Sequence, residues 1–308
     1  MDSLAIVARW VIVGGMFASS TYELVAFGAG RRLERFGDIR LDRPCPTAEG
    51  WPRSTPAAWS AADARFERTG ATAGRWLTTR HLPERWTIAH GPNVMELKCT
   101  ESGQVGVFPE QAANWDWIAT QRSASTQPLK VLNLFAYTGG STLAAAAAGA
   151  EVVHVDAAHN VVSWARRNAE LAGLAHAPIR WITEDAVKFV RRELKREARY
   201  DAVILDPPSY GHGAQGEVWN LSQQLAGLLA LCGQLTVGRR RFILLTCHTP
   251  DYTPIRLRRL LATALGDAQP GRIFADPMVL STASGQQLPS GAVARWQAAE
   301  CDTVTCQQ

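Results

Sequence analysis

Two periodicities divide the chain. Up to about residue 125, apolar and polar positions alternate in short stretches such as RWTIAH (Arg85–His90) and VMELKCT (Val94–Thr100), broken by Pro and Gly turns. Alternation with period two places every second side chain on one face, so these stretches predict antiparallel strands. From about Lys130 the texture changes to continuous apolar runs separated by segments of helical period. The runs predict strands at Val131–Phe135, Val152–Asp156, Ile179–Thr183, Ala202–Asp206 and Phe242–Thr246. Helices are predicted at Ser141–Ala148, Val161–Ala172, Ala186–Glu197, Gln223–Val237 and Pro254–Leu265. Strands apolar on both faces, alternating with helices, belong to a parallel sheet covered on both sides. The fold class expected is therefore α/β: a doubly wound, mostly parallel sheet over residues 126–308, behind a smaller, mostly β domain over residues 21–125.

The first 20 residues need separate treatment. LAIVARWVIVGGMFA (Leu4–Ala18) is apolar, but Arg9 interrupts it and Asp2 stands where a signal peptide carries positive charge. It is also shorter than the roughly 20 residues of a membrane span. Residues 1–20 read as an apolar extension of the first domain, with no membrane partner.

Composition narrows the class without choosing a function. With 46% hydrophobic and 19% charged residues among 308, the chain has enough apolar surface for a sizeable core. A formal charge of +4 permits nucleic acid without requiring it. The six cysteines are scattered, with no CxxC pair, which speaks against a structural zinc site and suits a reduced, cytoplasmic setting.

In an open α/β sheet, ligands bind outside the carboxyl ends of the strands, so the residues just after each strand carry the chemistry. After the first predicted strand come Tyr137-Thr138-Gly139-Gly140, where two glycines let the backbone turn sharply and approach a ligand. After the second comes Asp156, able to accept hydrogen bonds from two ribose hydroxyls. After the third comes Asp185, placed to meet an adenine edge. A dinucleotide site would need G-x-G-x-x-G to seat a pyrophosphate on a helix N-terminus, and YTGGST lacks that cradle. S-adenosylmethionine, an adenosine with an amino-acid tail and no phosphate, fits better. The candidate cofactor set is Phe135, Tyr137, Thr138, Gly139, Gly140, Asp156, Ala157, Asp185 and Ala186.

After the fourth strand stands DPPSY (Asp206–Tyr210). Asp206 can accept the amino group of a base, the prolines stiffen the loop, and Tyr210 can stack on a base taken out of its stack.

The motifs RRLERFG (Arg31–Gly37), GVFPEQAANWDW (Gly106–Trp117), NLFAYTGG, VDAAHNVVSWARRNAEL, DPPSYG followed by GEVW, and GAVARW (Gly291–Trp296) occur in an order that resembles one family. It is that of the class I, Rossmann-like S-adenosylmethionine-dependent methyltransferases related to bacterial large-subunit ribosomal-RNA methyltransferases of the cytosine-C5 type. The resemblance implies methylation of a base in ribosomal RNA, with RNA as partner, and adds Gln111 of FPEQ as a cofactor contact. Two departures stand out: Ala112 replaces the Arg that follows the Gln, and the first 20 residues hold no counterpart of the extra N-terminal domain of longer relatives, which has a pseudouridine-synthase-like fold.

Methylation at cytosine C5 needs a thiolate that adds to C6. Cys247, at the end of the fifth strand in FILLTCHTP, is the candidate nucleophile; its ordinary alternative is a buried small hydrophobe. His248 reads as a surface residue. The catalytic candidates are Asp206, Tyr210 and Cys247. Guanine methylation at N2 or N7, or a non-catalytic RNA-binding protein on the same fold, are the alternatives. Arg31, Arg32, Arg35, Arg40 and Arg43, the run Arg239–Arg241, and Arg256, Arg258 and Arg259 are candidate phosphate contacts or solvated faces with local ion pairs.

Overall fold

The computed structural model describes residues 17–53, 55–70, 73–121, 127–213, 216–266 and 270–299. Most of the apolar extension, residues 1–16, lies outside them. Phe17 is buried, with its ring 5.5 Å from that of Tyr22.

The chain opens with β1 (Tyr22–Gly28), β2 (Arg31–Phe36) and β3 (Ile39–Pro44), then a short helix α1 (Pro56–Ser60), β4 (Ala64–Arg68) and β5 (Gly74–Thr78). These strands form a five-stranded sheet in sequence order, antiparallel except for the β3–β4 pair. A hairpin of β6 (Trp86–His90) and β7 (Asn93–Leu97) follows, where alternation predicted it, and then α2 (Ala112–Thr120).

The second half alternates β8 (Lys130–Leu134), α3 (Gly140–Ala147), β9 (Glu151–Asp156), α4 (His159–Leu171), β10 (Ile179–Thr183), α5 (Ala186–Lys195) and β11 (Ala202–Leu205). A two-stranded ribbon, β12 (Tyr210–His212) and β13 (Val218–Asn220), precedes α6 (Leu221–Thr236), β14 (Phe242–Cys247) and α7 (Pro254–Leu265). A long hairpin, β15 (Gly271–Ser281) and β16 (Gln287–Ala298), closes the domain. The seven-stranded sheet has the order β10-β9-β8-β11-β14-β16-β15, parallel up to β14 and antiparallel from β16 onward. The five parallel strands and five helices match the periodicity within one or two residues. The closing hairpin was not read from the sequence. Its β15 is exposed at most positions before Met278, so it lacks a continuous apolar run.

Strand alternation sorts the side chains into two apolar layers. Val131, Val152, Ile204 and Leu244 face α2 and α3, while Leu132, Val153, Leu205, Ile243 and Leu245 face α5, α6 and α7. The first layer is continuous with the small sheet, running from Tyr22 and Leu41 to Val293. The change of texture near residue 125 therefore does not separate two cores, because β6, β7 and α2 pack against the large sheet.

Asn168 of α4 fastens that junction. Its Oδ1 accepts from the Glu96 backbone N–H at 2.8 Å, and its Nδ2 donates to the Thr138 carbonyl at 2.8 Å.

The arginines of β2 and β3 largely turn inward. Glu34 is fully buried and accepts from Tyr22 at 3.0 Å and from Arg43 at 2.5 Å, with Arg32 3.2 Å away. Arg31 bonds Asp42 and the Phe66 carbonyl. Arg43 is 2% exposed and Arg240 likewise 2%, the latter stacked on Trp296. Of the basic residues expected to meet phosphate, Arg31, Arg32, Arg35, Arg43 and Arg239 are engaged in internal ion pairs, and the arginines of α7 are exposed.

Asn168→Ala should leave the Glu96 N–H and the Thr138 carbonyl buried without partners, at about 1–3 kcal/mol each. A lower denaturation midpoint with an unchanged slope in urea unfolding is the expected result; an unchanged midpoint would show that water replaces the amide.

Candidate active site

The turn after β8 holds two left-handed non-glycine residues. Phe135 and Tyr137 have φ of 54° and 49°, left-handed values that cost non-glycine residues roughly 1–3 kcal/mol each. Three bonds hold them there: Ala136 N–H to the Val155 carbonyl at 3.1 Å, Tyr137 N–H to Asp156 Oδ2 at 2.9 Å, and Gly139 N–H to the Ala136 carbonyl at 3.0 Å. Asp156 Oδ1 accepts from Ala158 N–H at 3.0 Å. The carboxylate thus ties the tips of β8 and β9 together. Burial raises its pKa and the two backbone donors only partly oppose this, so the net shift is upward. Each oxygen uses one of its two acceptor positions, which leaves capacity for hydroxyl donors.

Gly139, with φ of 92°, needs its lack of a side chain for the left-handed step into α3. Gly140 needs it for another reason. A Cβ there would lie 2.5 Å from the Trp115 ring, so the second glycine admits an indole from α2 where close approach of a ligand was expected. Thr138 is 1% exposed, and its hydroxyl donates to the Gly106 carbonyl at 2.7 Å, pinning the 105–108 segment over the turn. Tyr137 packs on Phe108, with ring centroids 5.3 Å apart, and burial pushes its phenol up to about 12.

One cavity brings together Phe135, Tyr137, Thr138, Gly139, Gly140, Gln111 and Asp206. Met95, Phe108, Trp115 and Asn133, which the strand-tip reading missed, also line it.

Asp206 is the polar centre. Oδ2 accepts from Gln111 Nε2 at 2.9 Å; Oδ1 accepts from Thr246 Oγ1 at 2.7 Å and lies 3.3 Å from His248 Nε2. Gln111 is itself fixed: its other N–H reaches Thr246 Oγ1 at 3.1 Å, and its carbonyl accepts from Asn114 at 2.7 Å. Asn114 in turn accepts from Arg295 of β16. The amide donors of Gln111 are therefore both taken, and its role is to place Asp206. Burial would raise the Asp206 pKa, but the His248 charge and the Thr246 and Gln111 bonds outweigh it, and the net shift is downward. For His248 burial acts downward, while Asp206, Glu110 and the Ser290 carbonyl raise the value to about 9. His248 is exposed, as a surface histidine was expected to be, and is also the charged partner of the central carboxylate.

Cys247 is not brought to this cavity. Thr246 points to Gln111 and Asp206, so alternation sends its neighbour to the opposite face, where Cys247 is fully buried with Leu245 and Tyr252. Burial raises the pKa of its thiol. That is the environment of a small core hydrophobe.

Tyr210 lies on the ribbon β12–β13, is 55% exposed, and is outside the cavity lining. Trp219 anchors the DPPSY loop: its indole donates to the Pro208 carbonyl at 2.7 Å and packs on Phe135 with ring centroids 4.8 Å apart. That carbonyl is consequently not directed at a ligand. Asp185 caps α5, accepting from Lys188 N–H at 2.9 Å, with Ala186 buried behind it and Ala157 half-buried beside Asp156.

Signals for part of what was missed exist in the sequence. Asn133, His154 and Thr246 are polar residues inside otherwise apolar strands. Asn133 and His154 both bond Thr142, each at 2.9 Å, and Thr246 bonds Asp206.

A raised histidine pKa stabilises the fold fully below pH 6.5, and that contribution is lost as pH rises through about 9. NMR titration should find the His248 ring changing charge near pH 9. In Asp206→Asn it should move back toward an ordinary histidine value. No movement would mean that Asp206 does not hold the charge.

Comparison with known proteins agrees with this fold. Residues 47–253 match the S-adenosylmethionine-dependent methyltransferase family. The crystal structure of a SAM-dependent methyltransferase from Agrobacterium tumefaciens is 37% identical, with a TM-score of 0.85 over 92% of this chain and 93% of that one. Ribosomal RNA large subunit methyltransferase I of Aeromonas hydrophila is 40% identical over 146 residues, covering 47% of this chain and 34% of the relative. Its counterpart from Aeromonas salmonicida is 32% identical over 142 residues, covering 42% and 35%. The alignments thus span about a third of the length of these curated relatives. With the family match extending over two thirds of its residues, from the small sheet to the loop after β14, the chain belongs to the S-adenosylmethionine-dependent methyltransferases.

Proposed function

We propose that this enzyme methylates a base of ribosomal RNA at an exocyclic amino nitrogen, guanine N2, without a covalent cysteine adduct. The observation that carries the reading is Asp206, an anionic acceptor on the same cavity as the β8 turn. An ionised carboxylate at that place attracts an N–H donor and repels a ring lone pair, which favours N2 over N7. Tyr210, exposed at the end of the DPPSY loop, is available to stack on a base swung out of its helix.

The turn suits the methyl donor. Asp156 has acceptor capacity left for ribose hydroxyls, Gly139 gives the turn its left-handed step beside the cavity, and Asp185 follows β10 for the adenine end. When bound, S-adenosylmethionine supplies an electrophilic methyl group on a sulfonium centre. Asp206 orients the amine, and the walls formed by Phe108, Tyr137 and Trp115 exclude water from it.

RNA as substrate is supported by the names of the curated relatives and by the resemblance in the motifs. Cytosine C5, which the resemblance implied, is the second reading. It needs a thiolate in the pocket, and the burial of Cys247 on the far face of β14 speaks against it.

Asp156→Ala should weaken S-adenosylmethionine binding about ten- to a hundredfold in calorimetry, since bonds to a charged acceptor contribute roughly 1.5–3 kcal/mol. Equal affinity would remove Asp156 from the site. Asp206→Ala should abolish methyl transfer while cofactor affinity stays within a few-fold; loss of both would assign it to the cofactor instead.

Nucleoside mass spectrometry of ribosomal RNA from cells with and without the gene identifies the product. A missing N2-methylguanosine agrees with the proposal, whereas a missing 5-methylcytosine, together with an inactive Cys247→Ala enzyme, would restore the second reading.

A further inference from the structure

His248 follows the last residue of β14 and lies between Asp206 and the backbone of β16. Its Nδ1 is 2.7 Å from the Ser290 carbonyl oxygen, which has no proton to give, so Nδ1 must be the donor. Its Nε2 is 3.3 Å from Asp206 Oδ1. A neutral ring protonated on Nδ1 would turn a lone pair toward the carboxylate. The doubly protonated imidazolium satisfies both contacts at once.

The other charged group facing the ring is Glu110, from the turn before α2, whose Oε1 is 3.8 Å from Nδ1. Phe108 flanks the ring, with centroids 5.9 Å apart. Both charges near the imidazole are therefore negative, and the upward shift to about 9 has its cause in this arrangement.

The acceptor positions of Asp206 can then be assigned. A carboxylate offers about four. Thr246 occupies one on Oδ1, which also faces the His248 imidazole at 3.3 Å, and Gln111 occupies one on Oδ2. One remains, on Oδ2. The side chain is 28% exposed and lines the cavity, so that position is accessible to a ligand.

We propose that His248 is a positioning residue that holds Asp206 ionised and in a single orientation, so that the pocket recognises its target through one N–H donor at Oδ2. With both ring nitrogens protonated, His248 has no lone pair to accept the proton that leaves the target. The inference rests on the base-methylation reading only for the identity of the target; the state of Asp206 is a property of the protein alone.

Two measurements test it. Carbon-13 NMR of the Asp206 carboxyl in wild type, His248→Gln and His248→Leu reads the carboxylate directly. The midpoint should rise by about one pH unit or more in His248→Leu, where the opposite charge is gone, and by less in His248→Gln, which keeps a neutral donor. Identical titration in all three proteins overturns the proposal.

Methyl transfer is then followed from pH 6 to 10 on a large-subunit ribosomal-RNA transcript, with a second transcript carrying inosine, which lacks the N2 amine, in place of guanosine. Wild-type kcat/KM should fall as pH rises through about 9. Both variants should lose that limb and at least about tenfold in kcat, with S-adenosylmethionine affinity within threefold. An unchanged alkaline limb in the variants also overturns it. Wild-type enzyme that methylates neither transcript defeats the substrate reading, and the carboxyl titration still decides the role of His248.

Discussion

The hydrogen bond from Gln111 to Asp206 joins the two halves of the molecule at the place where chemistry is expected. Asp206 stands at the tip of β11, and Gln111 in the turn that leads out of the small sheet into α2. Behind Gln111 the chain of donors continues through Asn114 to Arg295 on β16. Every member of this chain except the carboxylate is nearly inaccessible to water, so each polar group depends on the next for satisfaction. Loss of the amide would leave the carboxylate short of a donor and Asn114 short of an acceptor. The orientation of Asp206 therefore depends on residues far apart in sequence.

The β8 turn rests on a comparable trade between strain and bonding. Two left-handed non-glycine residues are tolerated because the Val155 carbonyl and Asp156 take up the N–H groups of Ala136 and Tyr137. The carboxylate that holds the turn is also the one placed to meet a ribose, so a change at Asp156 affects backbone geometry as well as ligand contact. Above the turn, Trp115 packs into the space that Gly140 leaves, and Thr138 holds the 105–108 segment in place. The small sheet thereby reaches the site through α2 and its preceding turn, while its buried ion pairs around Glu34 keep Arg32 and Arg43 away from solvent.

Much of the large domain was legible in the sequence because its strands are buried on both faces and its helices on one. Apolar runs and helical period report burial directly, and the expected strand ends coincide with Asp156 and lie beside Asp206. The YTGG turn and the absence of a phosphate cradle were equally local facts. What the sequence left open is side-chain direction at strand ends. Thr246 and Cys247 are adjacent and equally plausible in the chain, yet the pleat sends one to the pocket and the other to the core. His248 is a surface residue as read, but its partners, Asp206 and Ser290, were not legible because they are about forty positions away on either side. Likewise Gly140 signalled a ligand-facing turn until packing placed an indole against it, and the β15–β16 hairpin carried no apolar run to announce its place in the sheet. The sequence by itself determined the layers and the strand tips, since those follow from burial and period. The tertiary structure alone decided which side chains meet there, because that depends on contacts between residues that only the packed sheet brings together.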